Sequence, residues 1–410
     1  MTAGIEACSV VLAPTVVRAV LNFGWCVNQA ALLPVSRCTR HERNLVGNRS
    51  KTISALTVAV ACLVMSGCGS SGEATTSAGR EQAPAHSATP GPGASLPSRG
   101  EDASRSPRPE PTATGPVLRG VPWNLDRLDQ SGSRLDHRYR TRATGRDVRV
   151  YVVDCGLDVE HQQFEGRAIQ GVDTMGGKAG QCSDEAGIIH GLFVAGIIGG
   201  KDTGVAKEST IVSVRAMQGG EGTRPVPREQ QEAAIVRGLN WVAAHAEKPA
   251  VVNMSLNFDH PAPMLKAAVK KVIEKGITVV ASAGNDGQDA CGHPPADIPA
   301  VITVAASTTR DRPWTSAWGS SNRGRCVDLY APGHDITSLL PGNLTDRYQD
   351  SGATSWAAPH VTGAAALYLE KHPHASPSEV ASWLTSHATR DALHEVPAHT
   401  ANLLLNVHGL

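Results

Sequence analysis

This chain of 410 residues contains the stretch Gly352-Ala353-Thr354-Ser355-Trp356-Ala357-Ala358-Pro359-His360, which opens a run of small and apolar residues. Their spacing predicts a helix over 355–371. Ser355 then stands at the helix N-terminus, where backbone N–H groups and the helix dipole favour negative charge near its hydroxyl. Pro359 fits a first helical turn, which tolerates a residue without an N–H donor. Ser355 is therefore either a nucleophile or an N-cap, the commonest role of a serine before a helix.

Strands and helices alternate along the chain before this helix. Apolar strand candidates occur at 148–153, 211–214, 250–256, 277–283 and 300–306. Helix candidates occur at 190–199, 228–246, 263–275 and 355–371. The strands show little polar alternation, which is typical of a parallel sheet that is covered on both faces. We predict one α/β domain of three layers, with a mainly parallel central sheet and helices on both faces.

Polar residues stand at the ends of three other predicted elements. Asp154 follows the strand at 148–153, His190 opens a helix, and Asn285 follows another strand in an Asn-Asp-Gly turn. Each alone is typical of a structural role, as a turn residue, a cap or a hydrogen-bonded histidine. Together they meet the needs of acyl transfer. His190 would accept the proton of Ser355, Asp154 would orient the imidazole, and Asn285 would donate to the oxyanion together with the Ser355 backbone N–H.

Five ordered motifs resemble those of the subtilisin-like serine peptidases, or subtilases (peptidase family S8), and most of all the proteinase K branch. They are Asp154-Cys155-Gly156, His190-Gly191 with Val194-Ala195-Gly196, Val252-Asn253-Met254-Ser255-Leu256, Ala283-Gly284-Asn285, and Thr354-Ser355 with Ala357-Ala358-Pro359-His360. The likeness begins at Pro122-Trp123 and continues to about residue 390. It implies a subtilisin-like fold and a serine endopeptidase with Asp154, His190 and Ser355 as its triad. It also implies a substrate-binding backbone formed by Ser255, Leu256, Asn257, Ala283 and Gly284.

Several neighbours of the triad depart from the family pattern. The family usually has glycine at Asn257 and Ala353, methionine at Trp356, threonine at Cys155, and Thr-His at Leu192-Phe193. A side chain at 257 or 353 would narrow the primary pocket or, at positive φ, shift the backbone that pairs with substrate. These departures favour an alternative, a subtilase-like module that has lost turnover and binds peptides or partner proteins. A lipase or esterase is disfavoured because Ser355 lacks the G-x-S-x-G elbow.

The N-terminal part predicts export. Asn48-Arg49-Ser50-Lys51 precedes an apolar stretch, Ile53 to Met65, and then small residues, so 46–68 has the layout of a secretory signal. Cys68 behind Met65-Ser66-Gly67 resembles a lipobox, which predicts lipid anchoring at the outer face of the cell membrane. The alternative is an ordinary signal peptide and a secreted protein.

The remaining segments complete the predicted domain organisation. Residues 1–45 are an unexplained extension or follow from a misassigned start. Residues 69–118, rich in Ser, Ala, Gly, Pro and Thr, predict a disordered linker, and 119–410 form the peptidase domain.

The predicted domain contains Cys155, Cys182, Cys291 and Cys326, an even number that favours two disulfides outside the cell. Three pairings are possible, and a free, buried Cys155 is another alternative. The family resemblance implies Cys291 with Cys326, which leaves Cys155 with Cys182.

The formal net charge of zero and the lack of a basic patch argue against a nucleic-acid partner. We expect a monomer that acts on polypeptides and needs no cofactor for its chemistry. The resemblance further implies a structural calcium ion bound by the Pro299 and Val301 carbonyls and by Asp328, because oxygen ligands suit calcium. The alternative for Asp328 is a solvated or capping carboxylate.

Overall fold

The computed structural model describes residues 117–176, 189–218, 226–348 and 351–410. All of these belong to one compact unit. The predicted extension, the signal, Cys68, residues 69–116 of the linker and Cys182 lie outside the described residues. Within the described ranges, no helix combines the length and the hydropathy that crossing a membrane requires.

Along the described residues, β-strands of two to six residues are interspersed with α-helices. The strands are β1 (Val117–Arg119), β2 (Arg138–Arg140), β3 (Arg149–Asp154), β4 (Ala168–Asp173), β5 (Thr210–Arg215), β6 (Ala250–Met254), β7 (Thr278–Ser282), β8 (Ile302–Ser307), β9 (Leu329–Pro332), β10 (Thr337–Leu340), β11 (Leu344–Arg347), β12 (Thr389–Arg390) and β13 (Leu403–Leu404). The helices are α1 (Trp123–Asp126), α2 (His190–Gly199), α3 (Arg228–His245), α4 (Pro263–Glu274), α5 (Thr354–Lys371) and α6 (Pro377–His387).

A central sheet has the strand order β12-β13-β9-β8-β7-β6-β3-β5-β4. Its pairs from β13 to β4 are parallel, and only the edge pair β12–β13 is antiparallel among the described strands of this sheet. Two small antiparallel pairs, β1–β2 and β10–β11, lie outside it. The predicted parallel sheet is confirmed.

Helices cover both faces of this sheet. Residues of α2 and α5 share one buried apolar cluster with one face, and residues of α3 and α4 share a second cluster with the other. The strands between them are buried almost throughout, as in β6 and β7, because apolar side chains point to both faces. The predicted three-layer fold is therefore confirmed.

The strand order also locates a crevice. After β3 the chain adds β4 and β5 on one side, and then β6 and its successors on the other. Such a switch point leaves a crevice at the carboxyl ends of the strands, where α/β proteins bind ligands. Asp154 is the last residue of β3, and Ser255 follows directly after the neighbouring β6.

Candidate active site

His190 and Asp154 are in direct contact in this crevice. His190 Nδ1 lies 2.9 and 3.0 Å from the two carboxylate oxygens of Asp154. Asp154 is fully buried, and its Oδ1 also accepts a hydrogen bond from Cys155 N at 2.8 Å. The carboxylate acts as the acceptor for Nδ1–H, so Nε2 is the ring nitrogen that can take up a proton.

Two glycines allow this contact. Gly191 follows His190 in α2, and a Cβ at Gly191 would lie 2.2 Å from the Gly156 carbonyl oxygen. Gly156 itself has φ +98°, a conformation that residues with a Cβ rarely adopt. The helix start can therefore approach the loop after β3 closely enough for His190 to reach Asp154.

Ser355 is the second residue of α5 and is largely buried, with 8% of its surface exposed. Its hydroxyl donates a hydrogen bond of 3.4 Å to the Ser255 carbonyl oxygen. This is a long bond for a hydroxyl donor, and its acceptor is a backbone carbonyl rather than the imidazole of His190. The helix N-terminus supplies backbone N–H groups next to the hydroxyl.

The position of Pro359 corrects an expectation. The helix begins at Thr354, so Pro359 lies inside it rather than in its first turn, and it cannot donate to the Ser355 carbonyl one turn earlier. Ser255 Oγ donates to that carbonyl instead, at 2.9 Å. Ser255 Oγ in turn accepts from Asn253, whose Oδ1 accepts from Thr362 in the same helix. A side-chain network thus replaces the missing backbone bond directly at Ser355.

Asn285 is held through its carbonyl oxygen. Oδ1 accepts hydrogen bonds from the backbone N–H and the hydroxyl of Thr354, both at 2.8 Å. The Thr354 hydroxyl also accepts from Gly284 N at 3.1 Å. Because Oδ1 is fixed beside the residue that precedes Ser355, the amide Nδ2 is the group that can donate to an oxyanion.

An aromatic cluster borders the histidine. The Trp356 ring centroid lies 5.0 Å from that of His190 and 4.5 Å from that of Phe193. Tyr348 packs against both Phe193 and Trp356. Trp356 is buried, with 6% of its surface exposed, so its ring forms one wall beside the imidazole.

The predicted substrate-binding residues line the carboxyl ends of β6 and β7. Ser255, Leu256 and Ala283 are buried, and Gly284 has φ +105°. Asn257 is not among the described residues with positive φ, and Ala353 is extended with φ −163°. The two replaced glycines therefore impose no left-handed backbone strain on this chain.

Four cysteines were predicted to pair. Cys291 and Cys326 form a disulfide, with a Cα–Cα distance of 5.3 Å. Cys155 is also disulfide-bonded. Because Cys182 lies outside the described residues, its pairing with Cys155 stays a prediction. Cys155 lies next to Asp154 and His190, but a disulfide sulfur is no thiolate ligand, so this group is not a metal site.

Asp328 is half-buried, and its carboxylate oxygens are ligands of the kind that a hard cation such as calcium prefers. Its Oδ2 accepts from Thr303 N at 2.7 Å, and burial raises the pKa of its carboxyl to about 6. A calcium ion held by this carboxylate and the Pro299 and Val301 carbonyls would offset the cost of its ionisation.

Some supporting residues were not predicted from the sequence. Asn322 accepts from Asp286 N and Gln288 N and donates to Ala283 O, which shapes the loop around Asn285. His360 donates through Nδ1 to Trp356 O and accepts from Asn124 Nδ2. Burial lowers the pKa of His360 to about 4, so it stays neutral. The sequence contains one signal for these supporting residues, because Thr354 and His360 belong to the motif around Ser355.

Comparison with known proteins gives a consistent result. The model of the subtilase family matches residues 145–402. The chain is 45% identical over 286 residues to an extracellular serine proteinase of Thermus sp. (strain Rt41A), and this alignment covers 69% of the chain and 65% of that protein. It is 36% identical over 287 residues to alkaline serine exoprotease A of Vibrio alginolyticus, covering 70% of the chain and 50% of that protein. The chain thus spans between 50% and 65% of the length of these curated relatives.

Among solved structures, a cold adapted subtilisin-like serine proteinase matches with a TM-score of 0.62 and 35% sequence identity. The match covers 71% of this chain and 99% of that chain. The matched family range contains Asp154, His190, Asn285 and Ser355, and the resemblance seen in the motifs is confirmed. This chain belongs to the subtilase family of serine peptidases.

Proposed function

We propose that this chain is a serine endopeptidase that hydrolyses peptide bonds through an acyl-enzyme on Ser355. The observation that carries the proposal is the contact of His190 Nδ1 with both oxygens of Asp154. This pair lies beside the helix end that carries Ser355, because the His190 ring packs on Trp356, the next residue of α5. The relatives named as proteinases support the same reaction.

In this mechanism Ser355 Oγ attacks the scissile carbonyl carbon while His190 Nε2 accepts its proton. Asp154 keeps the imidazole in the Nδ1–H form and stabilises the imidazolium. Asn285 Nδ2 and the Ser355 backbone N–H donate to the oxyanion of the tetrahedral intermediate. His190 then gives the proton to the leaving amine, and a water molecule deacylates Ser355 by the same steps.

The domain organisation is part of the proposal. Residues 46–68 act as a secretory signal, 69–118 as a disordered linker, and 119–410 as the catalytic domain, while residues 1–45 are either an additional extension or the result of a misassigned start. Lipid on Cys68 would hold the enzyme at the outer face of the membrane. Relatives named as extracellular support export but give no support for an anchor.

Mass spectrometry of the mature N-terminus tests the proposed lipid anchor. A diacylglyceryl-modified Cys68 is expected, and an unmodified terminus would show a secreted enzyme.

Other untested features complete the proposed enzyme. Cys155 pairs with Cys182 and braces the segments that carry Asp154 and His190. Calcium binds at Pro299, Val301 and Asp328 as a structural ion, and it takes no part in the chemistry. The enzyme acts as a monomer on polypeptides, with no nucleic-acid partner.

One observation favours the alternative of a peptide-binding module without turnover. Among the described residues, the hydrogen bond of the Ser355 hydroxyl is to the Ser255 carbonyl oxygen and not to His190. In that case the site would bind peptides and release them unchanged.

Hydrolysis of casein by the full chain, with Ser355→Ala as the control, separates the two functions. The proposal expects new peptide N-termini with the parent chain and none with Ser355→Ala. Casein that remains intact with an oxidised, folded parent chain would contradict it.

A further inference from the structure

A pair of side chains bridges the two segments that border the nucleophile. Asn257 Nδ2 donates to Ser282 O at 2.7 Å, and Ser282 Oγ donates to Asn257 Oδ1 at 2.8 Å. Asn257 belongs to the segment after β6, and Ser282 is the last residue of β7. The amide of Asn257 thus spans the space between the ends of these neighbouring strands.

The acyl part of a substrate must enter that same space. Its carbonyl carbon has to reach Ser355 Oγ, and its carbonyl oxygen has to reach Asn285 Nδ2. Ser255 O lies 3.4 Å from Ser355 Oγ, and Gly284 directly precedes Asn285. The residue that carries the scissile carbonyl therefore lies between the segments Ser255–Asn257 and Ser282–Gly284.

The bridge limits the depth available to the side chain of that residue. Asn257 Cγ lies 3.8 Å from the position of a Cβ built on Gly284. The amide therefore occupies the gap between the two segments, which a glycine at position 257 would leave open. Ser282 is fully buried, and its hydroxyl hydrogen-bonds to Asn257. A large side chain could enter only by breaking this bond, after which the buried hydroxyl would keep only its long contact with Leu256 O, at 3.5 Å, and this is costly.

We infer that Asn257 sets the primary specificity of this site, and that the enzyme takes substrates with a small residue, glycine, alanine or serine, on the acyl side of the cleaved bond. The inference rests on the proposed function, because it takes Ser355 and Asn285 as the groups that hold the scissile carbonyl. Phenylalanine and leucine at that position are excluded by the bridge. A glycine at 257 would remove both hydrogen bonds and open the space.

Binding of product-like peptides tests the inference without turnover. The full chain carrying Ser355→Ala is titrated with two hexapeptides that differ only in their C-terminal residue, alanine or phenylalanine. We expect the alanine peptide to bind roughly 10-fold or more tightly than the phenylalanine peptide, since one or two hydrogen bonds would have to break for the larger residue.

Further substitutions, all made in the Ser355→Ala chain, identify the cause. Asn257→Gly should raise the affinity for the phenylalanine peptide at least 10-fold. Ser282→Ala, which removes one bond of the bridge, should raise it by less. Asn240→Ala serves as the matched control, because it removes an amide from α3 that binds Lys271 and lies on another face of the sheet. It should leave the ratio of the two affinities unchanged.

Two results would overturn the inference. Equal or tighter binding of the phenylalanine peptide to the Ser355→Ala chain would show an open pocket, whether or not the parent hydrolyses casein. An unchanged ratio in Asn257→Gly would show that another residue limits the pocket. Binding of neither peptide would contradict the proposed function as well.

Discussion

Two polar side chains of the candidate site, those of His190 and Asn285, each have one atom fixed by a hydrogen bond to a neighbouring side chain. Nδ1 of His190 is hydrogen-bonded to Asp154, and the proposed mechanism uses Nε2 as the base. Oδ1 of Asn285 accepts hydrogen bonds from Thr354, and the proposed mechanism uses Nδ2 as the oxyanion donor. Groups that are oriented in advance do not have to reorganise during the reaction, and this is the main source of their catalytic effect.

Thr354 is expected to act through Asn285. In Thr354→Val the hydroxyl that donates to Asn285 Oδ1 and accepts from Gly284 N is lost, while the backbone N–H bond remains. A looser amide should lower kcat by about 10-fold, the effect of about one hydrogen bond, with little change in KM. Steady-state kinetics on a peptide substrate measure this. A variant with a raised KM and unchanged kcat would place Thr354 in ground-state binding instead.

Trp356 is expected to affect the pH dependence of the reaction. Its ring lies 5.0 Å from His190, within the distance at which an aromatic face stabilises a cation. Of the described residues packed around His190, Asp154 is the charged one, α2 has no other ionisable side chain, and Cys155 is in a disulfide. Removal of the ring therefore disfavours the protonated imidazole.

The Trp356→Leu variant should consequently keep its kcat/KM to lower pH than the parent. Its kcat should fall by about 3- to 10-fold, because the imidazolium formed during attack loses the ring. Trp356→Phe, which retains an aromatic face, should lie between the two. A lower kcat with an unchanged pH profile in Trp356→Leu would indicate a packing role alone.

At this scale the sequence pointed to the candidate site residues but not to the residues that hydrogen-bond to them. Asp154, His190, Asn285 and Ser355 were identifiable because each stands at the end of a predicted element. The roles of Thr354 and Asn322 were not, since their partners near 285 lie 69 and 36 residues away in sequence. Such contacts exist only after β7 and α5 have been brought together.

At the scale of elements, the sequence predicted most of the buried sheet and its covering helices, but it missed β9, which is fully buried yet only four residues long. The core strands β3, β5, β6, β7 and β8 and the helices α2, α3, α4 and α5 lie within a few residues of their predicted bounds, because their apolar patterns are continuous. The edge strand β4 was missed, since Ala168 is its one buried residue and it contains Gln170-Gly171. Amphipathic α6 was missed as well, although it begins with a capping box at Ser376 and Glu379.

Helix α5 carries a proline whose effect depends on β6. Ser255→Ala removes the donor to the Ser355 carbonyl, and Pro359 cannot replace it. We expect a loss of about 1–3 kcal/mol in the free energy of unfolding, the cost of a buried carbonyl left unpaired. Urea denaturation in a Ser355→Ala background, which prevents self-digestion, measures it.

The double variant Ser255→Ala/Pro359→Ala is the matched control. Its residue 359 has an N–H that can donate to the Ser355 carbonyl, so part of the lost stability should return. Strictly additive effects of the two substitutions would contradict this account of the helix start.

For the whole molecule, the sequence predicted the three-layer fold and the family. The signal, Cys68 and nearly all of the linker lie outside the described residues, so they stay predictions. Burial of the Asp328 carboxyl makes stability depend on pH, and the proposed calcium ion would make it depend on calcium as well. Its pKa is raised by burial from 3.8 to about 6, so the folded state holds a proton that the unfolded state has released. The stability contributed by this group is complete below about pH 4 and is lost as the pH rises through about 6.

The Asp328→Asn variant should therefore melt at a higher temperature than the parent at pH 8 in EDTA, and at a similar temperature at pH 4. Added calcium at pH 8 should raise the melting temperature of the parent but not of the variant, because the ionised carboxylate is its ligand. Scanning calorimetry in the Ser355→Ala background measures both. An equal response of the two proteins to calcium would exclude an ion at Asp328.

The central claim is that His190 and Asp154 make Ser355 a reactive nucleophile. The most direct measurement is the reaction of the full, oxidised chain with a fluorophosphonate, followed by intact mass and peptide mapping. We predict one phosphonyl group per chain on Ser355, with labelling abolished in Ser355→Ala and slowed at least 100-fold in His190→Ala. A folded parent chain that stays unlabelled, or is labelled equally fast without His190, would contradict the account.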